Sequence, residues 1–191
     1  LTKHEYFFRV TEVTEATNAL KMLVRFLSEK EPDSYNLKWA LLTTHNALQA
    51  FMVLVLRGSS NLDIIEFKKE YAGANAQEIC FDPNPKMLSF DDLFHKCKET
   101  KHMLGNPFID KSGTITANIR NLNCARTNFV HYLPKAWSIG IEGLLLVIKD
   151  ALKVIEFLID HQRITVYYCS DEQKVDLKKL VTTANELIET Y

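Results

Sequence analysis

SIGIEGLLLVIKDALKVIEFLID, residues 138–160, decides the class of this fold. Ile141, Leu144, Leu145, Ile148, Leu152, Ile155 and Ile159 recur every three or four positions, the period of an amphipathic helix whose stripe faces a core. Ser138 is placed to cap it. Such a helix needs neighbours with matching stripes, and working outward along the chain finds them.

Toward the N-terminus, Ile115, Ile119, Leu122 and Phe129 mark a fourth helix that Pro134 should stop near Leu133. Ser89 and Asp92 form a helix-start signature, and Leu93, Phe94, Cys97 and Leu104 continue a third helix to Gly105. Residues 35–56 are apolar nearly all round, as in a helix at the centre of a bundle, with Asp33 and Ser34 suited to its start and Gly58 to its end. Val10, Val13, Thr17, Leu20, Val24 and Leu27 mark a first helix over about 10–29, closed by Pro32. Residues 59–88 hold no sustained period, so they read as an insert with a short helix near 62–72. Beyond the fifth helix, ITVYY at 164–168 is β-branched and aromatic enough for one short strand. A last helix follows through Leu177, Leu180, Val181, Ala184 and Leu187, so that 164–191 reads as a strand-helix appendage.

Composition agrees with an all-α reading. The 191 residues suit a single domain, and 47% hydrophobic with 25% charged residues is ordinary for a globular chain. Only 6 Gly and 5 Pro leave few turn formers for a many-turned β-sandwich or barrel. The net charge of −1 excludes a generally basic nucleic-acid coat. Charge is nevertheless segregated: of 23 basic and 24 acidic residues, seven and two fall in 96–135, so that stretch carries +5 and the rest −6. The stretch is either a solvated face or a surface for an anion.

Cys80, Cys97, Cys124 and Cys169 form no CxxC pair and read as free buried thiols. No signal-peptide pattern opens the sequence, and no unbroken apolar run reaches the roughly 18 residues of a membrane span. The expectation is a reducing, cytoplasmic setting without membrane attachment. Gly-rich phosphate loops, HExxH, GxSxG and paired-carboxylate motifs are missing from the sequence, so the markers of most familiar enzyme classes are too.

Attention falls on the fourth helix. Arg126 lies within about 60° of the mean direction of its apolar stripe, where a guanidinium snorkels to the edge, pairs with a buried acid, or faces a partner or an anion. His131 follows five positions on, and on an ideal helix the two side chains diverge by about 140°. A two-fold dimer would let the Arg and His of each chain share one cleft. His45 and Gln49, at i and i+4 on the second helix, share a face, either as a satisfied interior pair or as support for that cleft. Lys135 and Trp137 offer a phosphate contact and a stacking surface, although Trp137 suits a packing anchor equally. His4, His95, His102 and His161 read as surface residues.

The run LNCARTNFVHYLPKAWSI, residues 122–139, resembles the R-x4-6-H signature of HEPN-domain proteins, in a subgroup where the helix ends in His-x-x-Pro and then Trp-Ser. TTHNALQAFMVLVLRGS, residues 43–59, is similar to the His-x-Ala-Leu-Gln helix of that subgroup. The resemblance implies a dimeric helical bundle, and in many members a metal-independent endoribonuclease of toxin-antitoxin or phage-defence systems. By resemblance, His131 would act as general acid or base at the 2′-hydroxyl or leaving oxygen, and Arg126 would stabilise the pentavalent phosphorane. Neither role needs a metal or cofactor. Thr127, Asn128, Lys135, His45 and Gln49 would then line the substrate. The position after the Arg, usually Asn or Asp in active members, is Thr127 here, which cannot present an amide. The alternative is therefore a catalytically silent module that binds RNA, a nucleotide or a protein partner. A purely structural dimerising bundle is the third reading. Expected partners are a second copy, RNA or a nucleotide, and a cognate antitoxin or nucleotidyltransferase.

Overall fold

The computed structural model describes residues 9–29, 35–58, 61–66, 85–131 and 138–191. They form an all-α bundle: α1 (Glu12–Ser28), α2 (Asn36–Leu56), α3 (Phe90–Cys97), α4 (Ile115–Val130), α5 (Ile141–Asp160), α6 (Gln162–Tyr167) and α7 (Asp171–Ile188). A 3-10 turn at Leu62–Ile64 precedes an isolated antiparallel bridge between Ile65 and Met87. Asp33, Ser34, Pro32, Cys80, Pro134, Lys135 and Trp137 lie outside the described residues, as does the end of the short helix expected near 62–72.

Two helices organise the core. α2 touches α1, α3, α4, α5 and α6, which is why its sequence is apolar on every side. By length and mean hydropathy alone it could cross a membrane, but 72% of that window is buried inside the bundle. Gly58, at φ +53°, takes the left-handed step just past its C-cap that side chains with a Cβ avoid. α5 packs against α2, α4, α6 and α7 through Leu144, Leu145, Ile148, Leu152, Ile155 and Ile159, while Ile141 is exposed. Its cap is the Gly140 backbone, not Ser138.

Several expectations are corrected. ITVYY is not a strand: most of it forms α6, because His161 caps that helix with Nδ1 accepting from the Arg163 N–H at 3.3 Å. The Arg163 guanidinium then donates to the Val55 and Leu56 carbonyls at 2.7 and 3.3 Å, closing the open end of α2. Nor is 164–191 an appendage, since Ile164, Leu177, Val181, Ala184 and Ile188 belong to the same core as α1 and α5. α3 ends at Cys97, short of Gly105, and turns carry the chain onward. Cys97 and Cys169 are buried and free as expected, with burial pushing the Cys97 thiol up to about 12, but Cys124 is exposed. His161 is buried, not on the surface, and His102 is part-buried between Asp63 at 2.9 Å and Glu99 at 3.2 Å.

Candidate functional site on α4

The N-terminus of α4 is held by the loop before it. The Asp110 carboxylate accepts from the Thr116 and Gly113 backbone N–H groups, both at 2.8 Å, and from the Ser112 hydroxyl at 2.9 Å. Burial opposes ionisation of Asp110, but these donors outweigh it and hold the carboxyl at about 2. Ile115, Ile119, Leu122 and Ala125 then seat the helix on the core.

Two polar rungs flank that apolar seam. On one side Asn118 donates to the buried Asp150 of α5 at 2.6 Å, and Lys153 reaches the other carboxylate oxygen of Asp150 at 2.7 Å. On the other, His45 of α2 meets Asn123 at 3.2 Å, and Asn123 meets Asp91 of α3 at 3.1 Å. The direction of this chain is set by its end: Asp91 only accepts, so Asn123 donates through its nitrogen and receives the His45 Nε2–H on its oxygen. The His45 ring lies flat against Phe90, with centroids 4.1 Å apart, and is 3% exposed. Its Nδ1 is buried and makes no hydrogen bond among the described residues. Burial, and to a lesser degree the neighbouring Arg126 charge, outweigh the help from Asn123, Asn46 and Asp91 and bring His45 down to about 4.

Arg126 follows Asn123 by three positions and is part-buried on the same flank of α4. It makes no ion pair or hydrogen bond among the described residues. Thus no acid among the described residues pairs with it, and its charge acts on the neutral His45.

The other sequence candidates scatter. His131 is the exposed C-cap of α4, its N–H bonded to the Thr127 carbonyl at 2.9 Å. α4 is helical through Val130, so the ideal-helix divergence of Arg126 and His131 applies up to the non-helical cap at His131. Thr127 is exposed, with its hydroxyl turned back onto the Asn123 carbonyl at 2.9 Å. Exposed Asn128 approaches the Cys124 sulfur at 3.8 Å. Gln49 does not join His45: it lines a cleft of about 540 Å³ with Asn46, Ala50 and Val53, on the side of α2 toward the start of α1. Sequence reasoning missed Asn123, Asp91 and Phe90. Asn123 and Arg126 at i and i+3 were a legible signal; Asp91 and Phe90 were not, since only packing brings α3 to them.

Among the described residues no group of three or more His, Cys, Asp or Glu side chains is arranged to hold a metal ion. No protein-family model, no curated protein and no solved structure matches the chain.

Proposed function

We propose that this chain is an HEPN-like module that acts on RNA as a dimer, with the flank of α4 as its phosphate site. One observation carries the reading: Arg126 is a permanent cation, part-buried beside an apolar seam, with no ion pair among the described residues. An uncompensated charge in that position is costly, and an incoming phosphate relieves the cost through two parallel N–H···O bonds. The neutral His45 adds no competing positive charge. In the reaction, the 2′-oxygen attacks phosphorus while the 5′-oxygen departs, leaving a 2′,3′-cyclic phosphate. His131 of a second copy moves the proton, and Arg126 balances charge on the phosphorane. The setting that the resemblance implies is a cytoplasmic toxin-antitoxin or phage-defence system, with an antitoxin or nucleotidyltransferase as partner.

A second reading, binding without cleavage, is favoured by Thr127, whose hydroxyl is turned to the α4 backbone. Cleavage of RNA in EDTA separates the two. Activity should fall by about 10² to 10⁴ in His131→Ala, and Arg126→Lys should lose rate while keeping charge. No cleavage by the unaltered protein, together with tight salt-dependent RNA binding, selects the silent module. Neither cleavage nor binding, with Arg126→Ala lowering Tm by several degrees, overturns both.

A further inference from the structure

The surface beside Arg126 extends the site. Lys38 of α2 places its ammonium 5.8 Å from the Phe129 ring centroid, while His45, two turns further along α2, pairs with Asn123. α2 and α4 therefore run antiparallel along one seam. Arg126 lies between Asn123 and Phe129, so Arg126 and Lys38 follow each other within about one helical turn. Lys38 also has no carboxylate partner among the described residues; its ammonium rests over the rings of Tyr35 and Trp39, 5.3 and 5.1 Å from their centroids, and donates to the Tyr35 hydroxyl at 3.3 Å. Trp39 is braced by Phe26, centroids 6.4 Å apart, yet remains 42% exposed.

Two neighbouring cations without a carboxylate partner among the described residues, ending on an exposed and braced indole, match a strand that carries one phosphate per base and offers the base as a flat face. We propose, resting on the RNA reading above, that the α2–α4 seam binds single-stranded RNA, with Arg126 and Lys38 on neighbouring phosphates and a base taking the place over Trp39 that the Lys38 ammonium leaves when it turns to its phosphate. Duplex RNA fits poorly, because its bases are stacked on one another and have no free face for Trp39.

The test uses the full chain and a labelled 2′-O-methyl oligonucleotide of about ten nucleotides, whose blocked 2′-oxygen separates binding from cleavage. Anisotropy should show Trp39→Ala binding about tenfold more weakly and Trp39→Phe retaining most of the affinity. Lys38→Gln should lower the magnitude of the slope of log K against log[salt] by about 0.7, the loss of one single-strand phosphate contact. Thermal melts accompany each variant, and the Trp39→Phe protein keeps the result readable if Trp39→Ala fails to fold. Binding by the unaltered protein that neither Trp39 variant nor Lys38→Gln changes overturns the seam and leaves the RNA reading standing. A hairpin duplex bound as tightly as the single strand does the same. So does a Trp39→Ala protein that becomes monomeric at unchanged RNA affinity, which assigns the face to a second copy. No binding and no EDTA-resistant cleavage by the unaltered protein overturns the seam and the RNA reading together.

Discussion

Because Asn123 serves Asp91 through its nitrogen, His45 is left donating from Nε2, and a second proton would charge an imidazole that is 3% exposed. The fold thus binds the neutral imidazole. With His45 lowered to about 4 when folded, against about 6.5 in the unfolded chain, the unfolded state takes up more protons between those values. The stabilisation is present above pH 6.5 and disappears as pH falls toward 4, by an amount on the order of 3 kcal/mol. His161 works in the same direction: burial lowers it, its Nε2–H is used on the Met103 carbonyl at 3.1 Å, and its Nδ1 must stay bare to cap α6. Urea midpoints measured from pH 7.5 to 4 should decline through this window. A His45→Gln protein should be less stable at pH 7.5 and show a shallower decline; equal slopes in the two proteins would remove His45 from the account.

Two helix ends depend on groups beyond the helix's own caps. α4 has no side-chain bond from its own N-cap Thr114, and Asp110, four residues earlier, takes over that role. Asp110→Ala should cost about 1–2 kcal/mol in thermal denaturation, the usual range for a lost helix cap. The cap's contribution is present above the ordinary carboxylate range and is lost as pH falls toward 2, so the difference between the two proteins should vanish in strong acid. At the end of α2, Arg163→Ala removes the donor to Val55 and Leu56 and leaves those carbonyls unsatisfied. We expect a loss of about 1.5–3 kcal/mol, the range for hydrogen bonds to charged groups, with faster amide exchange in the last turn of α2 and in α6. Exchange that speeds up only in α6 would show that the α2 end does not depend on Arg163.

For the whole molecule, the proposed activity uses two copies, the His131 of one serving the Arg126 of the other. Apolar side chains are exposed where α4 ends and α5 begins: Val130, Ile139, Ile141 and Leu146 are 48%, 42%, 45% and 51% accessible. A symmetric dimer covering this end would place the His131 of each copy near the other's α4. Sedimentation should find a dimer at micromolar concentration, and Ile141→Glu should shift it to monomer without lowering helix content. A monomer for the unaltered protein at that concentration would leave catalysis without its second half, and binding alone would remain.

Helix periodicity made α1, α2, α4, α5 and α7 legible from the sequence, because burial of a stripe every 3.6 residues is a local property of the chain. The class of the fold, the central place of residues 35–56 and the oddity of Arg126 were determined in the same way. What local pattern cannot express went astray. ITVYY has the β-branched composition of a strand, and it folds as a helix because distant groups, the α2 carbonyls and Met103, bind Arg163 and His161 there. Gln49 shares a nominal face with His45, but the packing of α3 and α4 takes one and the cleft beside α1 takes the other. Above all, the Asp91–Asn123–His45 chain joins three helices, and whether Arg126 found an acid depended on where α3 came to rest. Those are relations between elements, fixed by how side-chain volumes and hydrogen bonds are satisfied across the bundle, and only the tertiary structure decides them.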